Sequence, residues 1–378
     1  MSPAIYLDNA ATSFPKPGAV HERVADVLKR VSGNPGRASH RMAVEASRVI
    51  FRSREALSRV IGCPDSSRVA FTKNATEAIN IGLKGMLRPG DHAVTTSFEH
   101  NSVVKTLAHL ASLGVAATKV RPDRTGLINP RDIGSAIKKE TRLVCVTHAS
   151  NVFGAIEPIA EIGAVCKRAG VALMVDAAQT AGAVPINVED MDVDILAGAG
   201  HKSLFGPQGT GFIYVKNGIE LPPIIHGGTG EIDNVLEMPE RLESGTMNTP
   251  GVGGLGAGCE FILGMGVDEI RAHEEALVSE LMDGLAAIKG ISVIGPLEAA
   301  KRVCLAAFNI KGVTPSEAGR RLDEEFGIMV RTGAHCAPEA HTEALTYPDG
   351  AIRVSPGYFS TPAEIEEFLR AAAALSKG

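Results

Sequence analysis

Lys202 stands directly after an apolar run, between glycines and beside a histidine, in DILAGAGHKSLFGPQGTG. A lysine so placed is ordinarily a surface cation. Held among apolar neighbours, its amine sheds its proton more readily, as a Schiff-base lysine must. The preceding apolar run, VALMVDAAQT, closes on Asp176, where an unpaired carboxylate is costly to bury. Asp176 either caps the next helix or accepts from a protonated ring nitrogen, and Gln179, three residues on, would then reach a ring hydroxyl. VAFTKNATEAIN passes from a strand pattern straight into a helical one. Asn74, Ala75 and Thr76 sit at that junction, where free N–H groups and the helix dipole favour a phosphate. Many helices open on such a cap and bind nothing. His100 lies just past VTTSF, placed to stack on an aromatic ring or simply to open a surface helix. A Schiff-base lysine, an acid for a pyridine nitrogen, a phosphate cradle and a stacking imidazole, all at strand ends, together favour pyridoxal phosphate. A nicotinamide dinucleotide fold is not supported, because no G-x-G-x-x-G follows the first strand.

A second group lies in VRTGAHCAPEAH, residues 330–341, with His335, Cys336 and His341 close together. Zinc usually takes three or four ligands, and adjacent residues in an extended loop point apart, so no metal is expected here. An inert packed thiol is the ordinary state of a free cysteine. The nucleophile reading has Arg331, His335 and His341 favouring the thiolate, the form that attacks.

The elements that must position these residues alternate. Strand-like runs at 69–72, 92–98, 142–150, 171–178, 194–200 and 211–215 are separated mostly by helical segments. Several are apolar throughout, which indicates a mostly parallel sheet covered on both faces. A helix is expected over 46–62. A glycine-rich passage at 226–258 interrupts the rhythm, followed by a long helical region to 290, shorter strands at VCLAAFNI and IRVS, and a terminal helix, AEIEEFLRAAAALS. Ligands of open α/β sheets sit beyond the carboxyl ends of the strands, which is where Lys202, Asp176 and His100 fall.

The 378 residues suggest more than one domain, and 44% hydrophobic with 21% charged residues permits a sizeable core. A formal net charge of −5 without a block of like charges argues against nucleic acid or an anionic membrane as main partner. No apolar segment approaches the length of a membrane span. The six cysteines form no C-x-x-C pair and no disulfide framework. With MSPAIYLDNAATSFPKPG unlike a secretory signal, a cytoplasmic location is the expectation.

Taken in order, the motifs YLDNAATSFP, NPGRASH (34–40), FTKNATEAIN, FEHNSV, THASNVFG, VDAAQT, GHKSLFGPQG, ESGTMNTPG, RTGAHCAP and IRVSPGYF resemble the class V aminotransferase group of fold-type I enzymes, most closely the cysteine desulfurases. The resemblance covers nearly the whole chain. It implies an α/β fold: a large domain over 15–245 with a mixed, mostly parallel seven-stranded sheet flanked by helices. Residues 1–14 and 246–378 would form a small α+β domain. Lys202 would carry pyridoxal 5'-phosphate, His100 stack on its ring, Asp176 pair with the ring nitrogen and Gln179 with the phenolic oxygen. Ala75, Thr76 and His201 match phosphate-binding positions. Thr246 resembles a threonine that reaches the phosphate of a neighbouring subunit, implying a homodimer. Arg353 matches the arginine that grips the substrate carboxylate, and Asn151 an asparagine near cofactor and substrate.

RTGAHCAP resembles the catalytic-cysteine segment of the group II desulfurases. That implies Cys336 as the nucleophile taking sulfur from L-cysteine as a persulfide, with L-alanine released after Lys202 moves the α-proton and His100 helps move protons. The sulfur would pass to a reductant or an acceptor protein, such as one assembling iron–sulfur clusters. L-Selenocysteine would use the same residues. C–S lyase, epimerase and transaminase reactions, or a non-catalytic sulfur-carrier scaffold, are the other readings. Two departures stand out. Ala199 replaces a hydroxyl residue often found before Gly-His-Lys, removing one charged hydrogen bond worth about 1–3 kcal/mol. APEAHTEALTYPDG departs from the best-known desulfurases and resembles a less characterised branch.

Overall fold

The computed structural model describes residues 4–31, 33–36, 40–228 and 237–377. Residues 37–39 of NPGRASH and 229–236 of the glycine-rich passage lie outside the described residues. The chain opens with β1 (Ile5–Tyr6), α1 (Gly18–Arg30) and α2 (Arg41–Val60). There follow β2 (Val69–Thr72), α3 (Ala75–Met86), β3 (His92–Thr96), α4 (Asn101–Ser112), β4 (Ala116–Val120), α5 (Pro130–Ala136) and β5 (Thr141–Thr147). Next come α6 (Ile159–Ala169), β6 (Ala172–Asp176), β7 (Ile195–Ala199) and β8 (Gly211–Val215). Strands β2 to β8 form one seven-stranded sheet in the order β2-β8-β7-β6-β5-β3-β4. From β7 to β4 all neighbours are parallel, while β8 runs antiparallel to both β7 and β2.

Alternation along the strands builds a core on each face of this sheet. In β5, Val144 and Val146 join one apolar cluster, whereas Leu143 and Cys145 join the other. Helices α3 and α4 supply Ile79, Leu83, Val103 and Leu107 on one side; α2 and α6 supply Leu57, Val60, Ile162 and Cys166 on the other or at its rim. Each fully buried aliphatic side chain is worth roughly 1.5–3 kcal/mol of transfer free energy. The site-bearing strand ends therefore rest on a scaffold packed from both faces.

The glycine-rich passage is not all loop. Residues Thr249–Met265 form helix α7, although each interior glycine costs about 1 kcal/mol of helix propensity. Close packing offsets that cost. Gly253 lies against Val27 of α1 and Val49 of α2, and Gly256 against Ser53 of α2. A side chain at these positions would push the helices apart. Val252, Leu255, Cys259 and Ile262 of α7 sit in the same core as the seven-stranded sheet. A second core begins with α8 (Val267–Ala287) and continues through β9 (Ile291–Ile294), β10 (Ala306–Ile310), α9 (Pro315–Phe326) and β11 (Ile328–Met329). After β12 (Arg331–Gly333), α10 (Pro338–Glu343), β13 (Ala351–Val354) and α11 (Pro362–Leu375) complete the chain. An antiparallel sheet runs β12-β13-β10-β9, and β1 pairs in parallel with β11, so that Leu7 enters this second core.

One buried ion pair locks the strand–helix junction that opens the site. Arg54 of α2 meets Glu243 at 2.6 and 3.0 Å, and the same carboxylate accepts from the Phe71 amide of β2 at 2.7 Å. Both side chains are more than nine-tenths buried. Glu243→Ala is expected to lower unfolding free energy by about 3–5 kcal/mol, since it strands a buried guanidinium. The double change Arg54→Met with Glu243→Leu should cost less than that single change, as measured by denaturant unfolding.

Candidate active site

Five strand ends and the antiparallel sheet converge on one cavity of about 190 Å³. From the large sheet it collects Asn74–Thr76 after β2, His100 after β3, Thr147 ending β5, Asp176 ending β6, and His201 and Lys202 after β7. The other wall carries Arg331 of β12, His335, Cys336 and Arg353 of β13, and Asn151 and Gln179 line it as well. Of the expected site residues, Thr246 alone does not line this cavity; it is exposed and lines a neighbouring pocket with Lys73 and Asn248.

Burial dominates the electrostatics. It pushes the Lys202 amine down to about 8, with Arg353 and Arg331 acting the same way and Asp176 and Cys336 against. Asp176 is 4% exposed. One of its oxygens accepts from the Ala178 amide at 2.9 Å, and no donor among the described residues is found for the other, so the carboxylate keeps an acceptor for the cavity. His100 caps α4: its Nδ1 accepts from the Ser102 amide at 3.1 Å and lies 2.8 Å from the Ser102 hydroxyl. An Nδ1 that accepts leaves the proton on Nε2. Burial lowers the His100 pKa as well, with Lys202 and Arg331 adding to it and Asp176 opposing.

The phosphate end is equally defined. Asn74 caps α3 by accepting from the Glu77 amide at 2.9 Å. The amides of Ala75 and Thr76, in the first turn, have no intrahelical acceptor and lie at the positive end of the helix dipole. His201 has a buried Nδ1 without a partner, and burial, with Lys202 and Lys16, pushes its pKa down to about 4. Arg353 is 1% exposed. It reaches Asp8 at 2.9 Å and the Asn151 carbonyl at 3.2 Å, while its Nε is buried without a partner. Orphaned buried donors are uncommon in a finished interior. Here both residues, His201 and Arg353, line a cavity that also holds a low-pKa lysine and a buried carboxylate. This donor set fits pyridoxal phosphate: an anion at α3 and His201, an aldehyde at Lys202, and a ring nitrogen at Asp176. Gln179 donates to the Ala10 carbonyl at 3.2 Å, which holds its amide at the cavity edge.

Cys336 is exposed, and the other five cysteines are buried. Its Sγ lies 3.3 Å from the Arg331 guanidinium. Two expectations about its surroundings are corrected. The loop is not extended, since His335 and Cys336 have φ of 50° and 60°. Nor do the histidines supply positive charge: burial pushes His335 to about 3 and His341 to about 4. Arg331 is the cation that touches the sulfur. Among the described residues no group of His, Cys, Asp and Glu is arranged to hold a metal.

Residues 5–368 match the family Aminotransferase class-V. The chain belongs to the class-V aminotransferases. A protein from Methanothermobacter thermautotrophicus, described as a probable cysteine desulfurase, is 35% identical over 96% of this chain and 92% of its own length. One from Pyrococcus abyssi, described in the same words, is 34% identical over 97% and 92%. The apo structure of a cysteine desulfurase from Thermococcus onnurineus superposes with a TM-score of 0.93 at 33% identity, covering 99% of this chain and 95% of that one. A cysteine desulfurase from Escherichia coli gives 0.88 at 27% identity, with the same coverage.

Several residues of this class-V site carried no separate signal in the sequence. Asp8 holds Arg353, Lys16 donates to the His201 carbonyl at 2.7 Å, and Ser102 sets the His100 tautomer. Asp8 and Lys16 fall within or beside YLDNAATSFP, a motif with no role assigned until the N-terminal segment is seen against β7 and β13. Ala199 lines the cavity without a hydroxyl.

The depressed Lys202 has a direct consequence. Below its value of about 8 the amine is mostly protonated and cannot attack an aldehyde. Capture of pyridoxal phosphate by cofactor-free protein should slow about tenfold per pH unit below 8 and level off above it. Stopped-flow absorbance between pH 6 and 9.5 would read this, and a rate still climbing at pH 9.5 would contradict it.

Proposed function

We infer that this chain is a pyridoxal-phosphate-dependent cysteine desulfurase, acting on L-cysteine and passing the sulfur onward. The single observation that carries the reading is Cys336. An exposed thiol in contact with Arg331 stands at the mouth of a cavity that also holds Lys202, Asp176 and Arg353. Lys202, Asp176, Gln179, His100, Ala75, Thr76 and His201 would hold the cofactor, which when bound supplies an electron sink for the substrate α-carbon.

Each residue then has a task its geometry suits. Arg353, held in place by Asp8 and the Asn151 carbonyl, would receive the substrate carboxylate. Lys202, neutral near pH 8 because it is buried, takes the α-proton and returns it elsewhere as general acid. Asp176 would hold the ring nitrogen of the cofactor. His100, with its proton on Nε2, would stack on the cofactor and could pass that proton. Cys336, as thiolate, attacks the substrate sulfur: an S–S bond forms, the substrate C–S bond breaks, and the carbon fragment takes the electron pair and a proton. The balance is L-cysteine plus Cys336 thiol giving L-alanine plus Cys336 persulfide.

A homodimer in which Thr246 reaches the partner's phosphate site suits the exposed position of Thr246 outside the cavity. A cytoplasmic setting suits a free reactive thiol, which persists under reducing conditions. The deciding experiment supplies L-cysteine to the pyridoxal-phosphate-loaded protein without reductant. One alanine per subunit and a Cys336 peptide heavier by one sulfur are expected. Alanine without that adduct, or a different product, would move the protein to another reaction of the class-V family. Parallel assays with L-selenocysteine separate the lyase reading, for which the kcat/KM ratio is decisive.

A further inference from the structure

His335 and His341 act in the mechanism above neither as acid, base nor charge, yet their geometry is specific. The Ala337 amide donates to the Ala334 carbonyl at 2.9 Å, closing a turn whose central residues, His335 and Cys336, have φ of 50° and 60°. Positive φ at both central positions is the pattern of a type I′ turn, which Asn-Gly ordinarily occupies. A β-carbon at either position is strained, and such strain persists only where the surroundings over-determine the backbone.

The surroundings do so from several directions. The Asn101 amide donates to the Cys336 carbonyl at 2.9 Å, and Asn151 Nδ2 donates to the His335 carbonyl at 2.6 Å. The His335 ring provides the third tether. Its Nε2 is 3.4 Å from the Arg331 carbonyl, its Nδ1 is 3.1 Å from His341 Nε2, and His341 Nδ1 is 2.7 Å from the Thr346 hydroxyl. A carbonyl only accepts, so the His335 proton is on Nε2. Its Nδ1 then accepts, His341 donates from Nε2, and the Thr346 hydroxyl donates to His341 Nδ1. This one arrangement of protons satisfies every contact in the chain. Protonating His335 would set its Nδ1 proton against the His341 Nε2 proton, and burial keeps both rings neutral. His341, completely buried, is itself held by the Thr346 and Tyr347 amides donating to its carbonyl.

We propose that His341 is a positioning residue for Cys336, acting through His335: the chain Thr346–His341–His335 clamps the strained turn so that the sulfur meets Arg331 and faces the cavity. The proposal rests on Cys336 being the nucleophile. His341 and Thr346 do not line the cavity, and they reach Cys336 only through His335, which does.

The test uses His341→Leu, His341→Gln and Thr346→Val, each loaded with pyridoxal phosphate. Two readouts are taken: the steady-state kinetics of alanine formation, and the rate of iodoacetamide alkylation at Cys336 followed by peptide mass spectrometry. His341→Leu should lower kcat about 30-fold with KM and cofactor absorbance unchanged, and shift the alkylation rate at least about fivefold, the scale expected of a misplaced reacting group. His341→Gln, whose amide keeps a donor toward His335, should restore most of both. Thr346→Val should move both the same way by a smaller factor, which keeps the proposal open to test if the leucine variant does not fold. The proposal is overturned if Thr346→Val and His341→Gln alkylate and turn over like the parent while His341→Leu does too. It is equally overturned if the leucine and glutamine variants fail together through raised KM or lost cofactor, the mark of a general structural role. Alkylation does not depend on desulfuration, so a parent protein that releases no alanine from L-cysteine would refute the proposed function and still leave the clamp decided by these rates.

Discussion

Cys336→Ala is expected to make no measurable alanine from L-cysteine while folding normally and holding pyridoxal phosphate. The side chain removed has Arg331 as its hydrogen-bond partner among the described residues. The backbone contact, Asn101 N–H to the Cys336 carbonyl, is indifferent to what the side chain is. No second thiol can substitute, because Cys63, Cys145, Cys166, Cys259 and Cys304 are all buried and burial raises each of their pKa values. The expected loss is at least about 10³-fold in kcat, as for removal of a nucleophile from other covalent enzymes. Alanine keeps the β-carbon and with it the strain of a φ of 60°. Cys336→Gly should therefore be just as inactive yet more stable than Cys336→Ala by about 1 kcal/mol, read from denaturant unfolding. Alanine production at the parental rate by either variant would remove Cys336 from the reaction.

Lys202→Ala is the second large effect, and Lys202→Arg is its control. Lys202 is the one group of the cavity that can serve both as an amine for the cofactor aldehyde and as a base of suitable strength, because burial brings it to about 8. Losing a positioned general base alone costs about 10²–10⁴-fold, and loss of the covalent link should bring the total to at least about 10⁴-fold. Borohydride reduction should fix the cofactor to the parent and not to either variant. Arginine keeps the charge beside Asp176 but stays protonated at any accessible pH. Activity retained by Lys202→Arg would mean the position needs only a cation; equal inactivity of both variants assigns the role to the neutral amine.

Much of the scaffold was legible because it follows local periodicity. The runs at 69–72 and 211–215 are β2 and β8 to the residue, and β3, β5, β6 and β7 fall within a residue or so of their expected starts. Strand β4 was not legible. AATKV is an edge strand whose burial pattern is mostly exposed, so it has neither an apolar run nor an apolar alternation to announce it. Helix α7 was hidden for the opposite reason: its glycines read as a breaker and are tolerated only because α1 and α2 press against them. Lys202, Asp176 and His100 were legible as chemistry because they interrupt or follow apolar runs where a polar side chain needs a purpose. Asp8, Lys16 and Ser102 were not, since an aspartate, a lysine and a serine in a loop or at a helix start are ordinary until their partners from distant segments are in place.

The sequence alone determined which chemical groups stand at the carboxyl ends of which strands, because strand period, helix caps and side-chain type are properties of a few neighbouring residues. The tertiary structure decided what those groups are in practice. It brings Arg353 and Cys336 across to Lys202 and Asp176, and through desolvation it lowers the pKa of the Lys202 amine. It turns two histidines that suggested positive charge into a neutral hydrogen-bonded pair behind the thiol. Protonation state and backbone strain depend on water excluded and contacts made by residues far apart in the chain, and neither is encoded in any short stretch of it.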